Sequence, residues 1–283
     1  MSTLAPARSR PVHRFLAHFS VGLWLGAAIV LAWIAIALVV PLTSLSPDAI
    51  DMQHMLEAPS LAHPFGTDQL GRDVFARVLY GSRIDILMAV VGVVAPATIG
   101  VLIGLFSGYF GGLAETILMR LFDVAMAFPF FVLVLVVVGI LGPGLSSFLI
   151  ALAIVGWVAY ARLLRAEVLV VKHAEYIQAA KTLGYGNLYI IFRHVLPNAI
   201  SPVVVYAMSD AVLVMLAGAT LGFLGLGAQP PTAEWGVMIA DGQVVLTDAW
   251  WISFFPGLAA VTFGLGLVGV SDGLTRLLGE AAQ

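Results

Sequence analysis

Residues that could make or break bonds are scarce in this chain and poorly spaced for the task. Its six histidines stand at positions 13, 18, 54, 63, 173 and 194, and no His-Glu-x-x-His occurs. It has no cysteine, which removes disulfides, thiolate metal ligands and thiol nucleophiles. No Gly-x4-Gly-Lys-Ser/Thr loop is present to cradle a nucleotide phosphate. Gly264, Gly266 and Gly269 match a dinucleotide fingerprint only formally, because no strand precedes them and their surroundings are apolar. They read as helix packing. His54 and His63 form a weak metal pair and read as surface histidines.

The polar residues do form one segment shaped for docking, Glu175 to Pro197. Tyr176, Ala179, Ala180 and Leu183 recur at i, i+3, i+4 and i+7, which places them on one helical face. Glu175, Gln178, Lys181 and Thr182 point elsewhere, and Gly184 stops the helix. A narrow, alanine-rich face suits a protein groove. A helix lying on lipid headgroups would need a broader apolar face flanked by basic residues. Leu188, Ile191, Phe192 and Val195 repeat the helical spacing, with Asn187 as a cap and Pro197 as the end. Asn198 then caps the next helix.

The elements that must hold this segment lie in a membrane. Hydrophobic residues make up 61% of the 283-residue chain and charged residues only 10%, against about 25% charged in soluble domains. Six runs are long enough for the roughly 20 residues a crossing needs: Gly22–Val40, Ile84–Phe106, Leu121–Leu141, Phe148–Leu164, Ala199–Leu224 and Trp250–Val270. The first is long for a signal peptide and no small-residue cleavage site follows it, so it reads as a retained span. The expected fold is therefore an all-α integral membrane protein of six transmembrane helices.

Six crossings put both termini on one side. That side carries Arg8, Arg10, Arg14, Arg120, Arg162, Arg165, Lys172, Lys181, Arg193 and Arg276; the other carries Arg72, Arg77 and Arg83. Basic residues stay cytoplasmic, so both termini and the Glu175 segment, between spans four and five, are expected in the cytoplasm.

Inside the spans, Asp210, beside Met208 and Ser209, is the acid placed deepest, and both Met208 and Asp210 are candidates for a path through the membrane. A carboxylate at such depth faces a cavity or a partner. Three readings stay open: it meets the amino end of a solute, pairs with another subunit, or touches water. Pro96, Pro129, Pro202 and Pro256 are expected to kink their helices. Gly100, Gly104, Gly108 and Gly112 form a small-residue ridge for close helix packing. Trp235, Trp250 and Trp251 read as interfacial anchors, and Asp68, Arg72 and Asp73 as a salt-bridged turn.

Gln178-Ala179-Ala180-x3-Gly184-x11-Leu196-Pro197 resembles the EAA loop of importer permeases in the ATP-binding cassette superfamily. Gln178 replaces the usual Glu and His194 the usual Ile, and the His before Val-Leu-Pro-Asn is similar to the peptide and nickel branch. The run from His63 to Val74 resembles that branch's C-type subunit. So do Asp123-Val124-x3-Phe128-Pro129 and the stretch from Phe223 to Gly236 containing Gln229-Pro230-Pro231 and Trp235. The resemblance runs in order from about His63 to Leu278.

The resemblance implies a non-catalytic type I permease that imports di- or oligopeptides, with nickel, a metal chelate or another small solute as the alternative. Its implied partners are a second, distinct permease subunit, two cytoplasmic ATPases and an extracytoplasmic solute-binding protein. ATP and Mg would sit on the ATPases, this chain would bind no cofactor, and no nucleic acid is involved. Coupling to the ATPases would fall on Glu175, Tyr176, Gln178, Ala179, Ala180, Leu183 and Gly184. The implied layout is a cytoplasmic tail over 1–21, a first helix over 22–40, and an extracytoplasmic loop over 41–83. A permease core over 84–272 contains the coupling loop 172–197, and a cytoplasmic tail covers 273–283. The location is the bacterial inner membrane. An intramembrane enzyme lacks its clustered acids and histidines, and an ATPase-independent channel would have no use for the Glu175–Pro197 segment.

Overall fold

A computed structural model describes residues 21–281; Arg8, Arg10 and Arg14 lie outside the described residues. Among these residues all regular structure is helical. We number the helices α1 (Val21–Val39), α2 (Val74–Phe110), α3 (Gly112–Met126), α4 (Phe130–Leu141), α5 (Leu145–Val171), α6 (Glu175–Thr182), α7 (Asn187–Ile190), α8 (Leu196–Ala199), α9 (Ser201–Phe223), α10 (Trp235–Gln243) and α11 (Trp251–Ala281).

Helices α1, α2, α5, α9 and α11 are each long and apolar enough to cross a bilayer, and α3 with α4 is long and apolar enough only when the bent pair is counted as one span. The third span was expected over Leu121–Leu141 as one helix kinked at Pro129. Instead α3 and α4 meet at 89°. Pro129 explains the break: it lacks an N–H, it disfavours helical backbone at Phe128, and it starts α4 at φ −58°, ψ 129°. The other three prolines behave differently. Pro96 and Pro256 sit inside continuous helices, and Pro202 lies in the first turn of α9, where a missing N–H costs nothing.

Close packing follows the glycines. A methyl group at Gly100 would lie 2.5 Å from the Trp157 carbonyl oxygen, and one at Gly104 would lie 2.5 Å from that of Ala161. A methyl group at Gly108 would lie 3.0 Å from the Val168 side chain and 3.2 Å from the Arg165 carbonyl oxygen, so α2 and α5 pack closely along this ridge. Gly112 meets nothing and is not part of this ridge. A second such seam joins α1 to α11, where Gly26 faces Gly266 and Gly269. Gly266 and Gly269 are thus helix-packing residues, as their apolar surroundings suggested.

Helix α2 begins at Val74, ten residues before the apolar run at Ile84. Its 37 residues span roughly 55 Å, well beyond the ~30 Å hydrocarbon thickness. The surplus has a use at each end. The first turns enter a polar cluster beside α10, and the last turn reaches the segment that contains α6.

That polar cluster fixes the loop between α1 and α2. Asp68 accepts from Arg72 Nε at 2.6 Å. The buried Arg77 guanidinium donates to Pro47 O and Asp48 at 3.2 Å and to Pro231 O at 3.4 Å. Asp73 caps α2 by accepting from Ala76 N–H at 2.9 Å, and its other oxygen lies 2.8 Å from His63 Nδ1. Asp68 and Arg72 thus pair as expected, whereas Asp73 serves the helix start. Trp235 and Trp251 are buried, with indole N–H bonds to Val78 O and Thr67 O. They are core residues, and Trp250 alone of the three is exposed.

Candidate functional site

Helix α6 stands between α5 and α9 at the end of the bundle opposite α10. Gly184 terminates its helical turn at φ +81°, a backbone region that favours glycine. Tyr185 N–H returns to Ala180 O at 3.2 Å and Gly184 N–H to Lys181 O at 3.0 Å, the two bonds of a Schellman cap. The cap reverses the chain and leads it to α7.

The four apolar positions of α6 do not share one fate. Tyr176 is 46% exposed and Leu183 75% exposed, with Ala179 beside them also exposed. Ala180 is turned inward at 6%, next to Ile177 at 0%. Helical spacing suggested a single outward face of Tyr176, Ala179, Ala180 and Leu183. The structure makes Ile177 and Ala180 pegs that seat the helix in the buried apolar cluster that also holds Ile190 and Ile191, and leaves Tyr176, Ala179 and Leu183 uncovered. Glu175 and Gln178 are exposed at the flanks, and a Cβ at Gly184 would meet nothing.

Polar bonds bind this segment to the end of α2. Lys172 Nζ donates to Gly108 O at 2.7 Å, and Gln178 Nε2 donates to Lys172 O at 2.9 Å. Lys181 Nζ sits 5.5 Å from the centre of the Tyr109 ring, and Tyr109 O–H donates to Asn187 Oδ1 at 3.1 Å. Asn187 is therefore a tether, not a cap; Gly186 holds the capping position of α7. Asn198 likewise does not cap α9: its amide donates to His194 O at 2.6 Å. Nor does Pro197 end the second helical stretch. A π-helical turn over Ile191–Val195, closed by Leu196 N–H on Ile191 O, lets the chain run through Pro197 to Ala199. Such a turn frees the carbonyl that the proline ring would otherwise strike.

Deeper in the bundle, α2, the α3–α4 bend, α5 and α9 enclose a cavity of about 580 Å³. Its lining is largely apolar, with Pro96, Phe128 and Phe130 near the bend. Asp210 lines it and Met208 does not. Tyr160 O–H donates to Asp210 Oδ2 at 2.7 Å, and the Tyr206 ring lies 5.0 Å from that of Tyr160 in an edge-on arrangement. Tyr160 itself is fully buried in α5. Sequence reading passes it over, because one tyrosine in an apolar run carries no signal until its partner on α9 is known.

A second acid also escapes sequence reading. Asp85 lies about three turns into α2 and is completely buried, beside the equally buried Glu234. Glu234 caps α10 by accepting from Gly236 N–H at 2.7 Å and Val237 N–H at 2.9 Å, and burial raises its pKa. Asp85 Oδ2 accepts from Trp235 N–H at 3.2 Å, while Oδ1 has no partner. Its place at the edge of the apolar run hides it. Among the described residues no group of three metal-ligating side chains occurs.

Residues 100–281 match the family model of the binding-protein-dependent transport system inner membrane component. Curated relatives extend the likeness. The probable D,D-dipeptide transport system permease protein of Escherichia coli (strain K12) is 44% identical over 83% of this chain and 79% of its own length. The dipeptide transport system permease protein of Alkalihalophilus pseudofirmus is 40% identical over 89% of this chain and 84% of its own. The glutathione transport system permease protein of Pectobacterium atrosepticum is 40% identical over 81% and 76%. With its apolar crossings and matched length, the chain belongs to the family of inner membrane components of binding-protein-dependent transport systems, as a multi-pass protein of the bacterial inner membrane.

Proposed function

We propose that this chain is one half of the membrane path of an ATP-driven importer of short peptides, moved by cytoplasmic ATPases that grip α6. The uncovered Tyr176–Ala179–Leu183 face on a helix pegged by Ile177 and Ala180 carries the reading. A face left open on an element otherwise tightly anchored suits a groove in a partner, and the anchoring suits transmission of force. Glu175, Gln178 and the Gly184 cap flank that face and complete the coupling site. The second half of the path is a distinct permease subunit, two ATPases hold ATP and Mg, and an extracytoplasmic binding protein delivers the cargo. ATP hydrolysis belongs to those partners. The seven basic residues among the described ones at the α6 end, against three at the other, support a cytoplasmic α6.

The relatives that carry dipeptide in their names support peptide cargo over a metal chelate. The lining of the cavity agrees, because among the described residues Asp210 is its sole carboxylate and it holds no histidine or cysteine. The test is uptake of a labelled dipeptide into liposomes containing the complete transporter, its binding protein and ATP. Uptake that needs ATP and is abolished by Leu183→Asp, with the complex still assembled, is the expected result. Uptake that proceeds without ATP, or a Leu183→Asp complex that transports normally, would sink the proposal.

A further inference from the structure

Resting on the peptide-import reading, we infer that Asp210 is the intramembrane receptor for the free α-ammonium group of the peptide in transit. The cavity of about 580 Å³ that it lines falls within the roughly 300–1,000 Å³ of small-ligand pockets. Among the described residues Asp210 is the only charged side chain in that lining, and it stands near the middle of the 23-residue α9. An acid at that depth is costly unless it faces a cavity or a partner.

The carboxyl group is held in place but has no cationic partner among the described residues. Tyr160 O–H occupies Oδ2 at 2.7 Å, and no ion pair reaches Asp210 among the described residues. The two arginines on the same helix as Tyr160 are already committed, Arg162 to Asp123 and Arg165 to Glu115. Oδ1 accepts no hydrogen bond from the described residues and is not among the fully enclosed atoms. One helical turn earlier, Tyr206 also lines the cavity, and its ring is steadied edge-on against Tyr160. A carboxylate oxygen open to a cavity that an aromatic ring also lines suits a cation.

The remaining lining identifies which cation. Apart from Tyr206 and Asp210, Thr220 is the only residue there with a polar side chain. A site so poor in polar groups does not select side chains. It can hold the one positive group that peptides of any sequence share, their amino terminus, while apolar walls admit the rest.

The experiment compares wild type, Asp210→Asn and Tyr160→Phe in the complete transporter in liposomes, with excess binding protein and labelled dialanine. Asp210→Asn is expected to lower dialanine uptake per ATP hydrolysed by at least about tenfold, with binding-protein-stimulated hydrolysis near wild type. Tyr160→Phe, which keeps the carboxylate but loses the bond that positions it, should lower uptake markedly less than Asp210→Asn does. The inference is overturned by normal uptake in Asp210→Asn. Equal loss in Tyr160→Phe would also overturn it, since the helix–helix bond would then be what matters. So would loss of the second permease subunit from purified Asp210→Asn, which would make Asp210 a subunit contact. Wild-type complex that hydrolyses ATP but takes up no dialanine would remove the peptide reading itself, and the inference with it.

Discussion

The two ends of the bundle handle their polar residues in opposite ways. At the α10 end, charged groups are drawn inside and, Asp85 Oδ1 apart, bonded: Asp68, Arg72 and Arg77 form a buried cluster, and Glu234 caps a buried helix start. At the α6 end no described charged side chain is fully buried, and the buried residues of α6 are Ile177 and Ala180 with their apolar neighbours. Buried charge pairs are brittle, because loss of one partner strands the other in a poor solvent. That suits an end whose shape must not change. An exposed polar helix on apolar pegs keeps its position yet leaves its outer face free, as a surface covered by another protein requires.

The comparison can be broken most severely at Arg77. Replacing it with Ala leaves Asp68 with less charge compensation and empties bonds to two carbonyls. A loss of about 3–5 kcal/mol is expected, seen as a large drop in the unfolding midpoint of detergent-purified protein. An unchanged midpoint would show that the cluster is not what holds the α10 end.

Ile177→Asp should cost almost as much, about 2–4 kcal/mol, because it buries a carboxylate where a peg stood. Limited proteolysis of loop 172–197 should accelerate while the α10 end stays protected. Equal protection in mutant and wild type would mean that the peg does not seat α6.

Glu234→Ala removes both capping bonds of α10 and should lower stability by about 1–2 kcal/mol. The same group predicts a pH trend. Burial raises the Glu234 pKa above its ordinary 4.5, so the folded state holds a proton that the unfolded chain releases. Its stabilising effect is therefore complete below pH 4.5 and fades as pH rises through the folded value. A tenfold difference in proton affinity between the folded and unfolded chain is worth about 1.4 kcal/mol. Glu234→Gln should flatten thermal stability against pH above 4.5; an undiminished slope would locate the titration elsewhere.

The smallest effect on stability belongs to Leu183→Asp. An exposed position should change the unfolding midpoint by less than about 0.5 kcal/mol, while transport fails. A large destabilisation would place Leu183 among the pegs and erase the contrast between the two ends.

Much of this was readable in the residues. The crossings follow from apolar length, and the α2–α5 seam from Gly100, Gly104 and Gly108, since only glycine lets two backbones meet at that distance. The end of α6 was readable because Gly184 can take a positive φ at no steric cost. The face of α6 was half readable. Spacing groups Tyr176, Ala179, Ala180 and Leu183, but a face wider than its contact must be divided by whatever packs against it. The buried cluster that holds Ile190 and Ile191, beyond the cap, made that division.

The sequence by itself determined which segments are apolar and long enough to cross a membrane, that Gly100, Gly104 and Gly108 pack closely and where α6 stops, because these depend on local composition and backbone freedom. Tertiary structure alone decided the 89° turn at Pro129, the Tyr160–Asp210 bond and the Asp85–Glu234 pair. Each of those joins or reorients residues on different helices. Whether a tyrosine or an acid in an apolar run meets a partner depends on how the helices are placed against one another, which no single helix encodes.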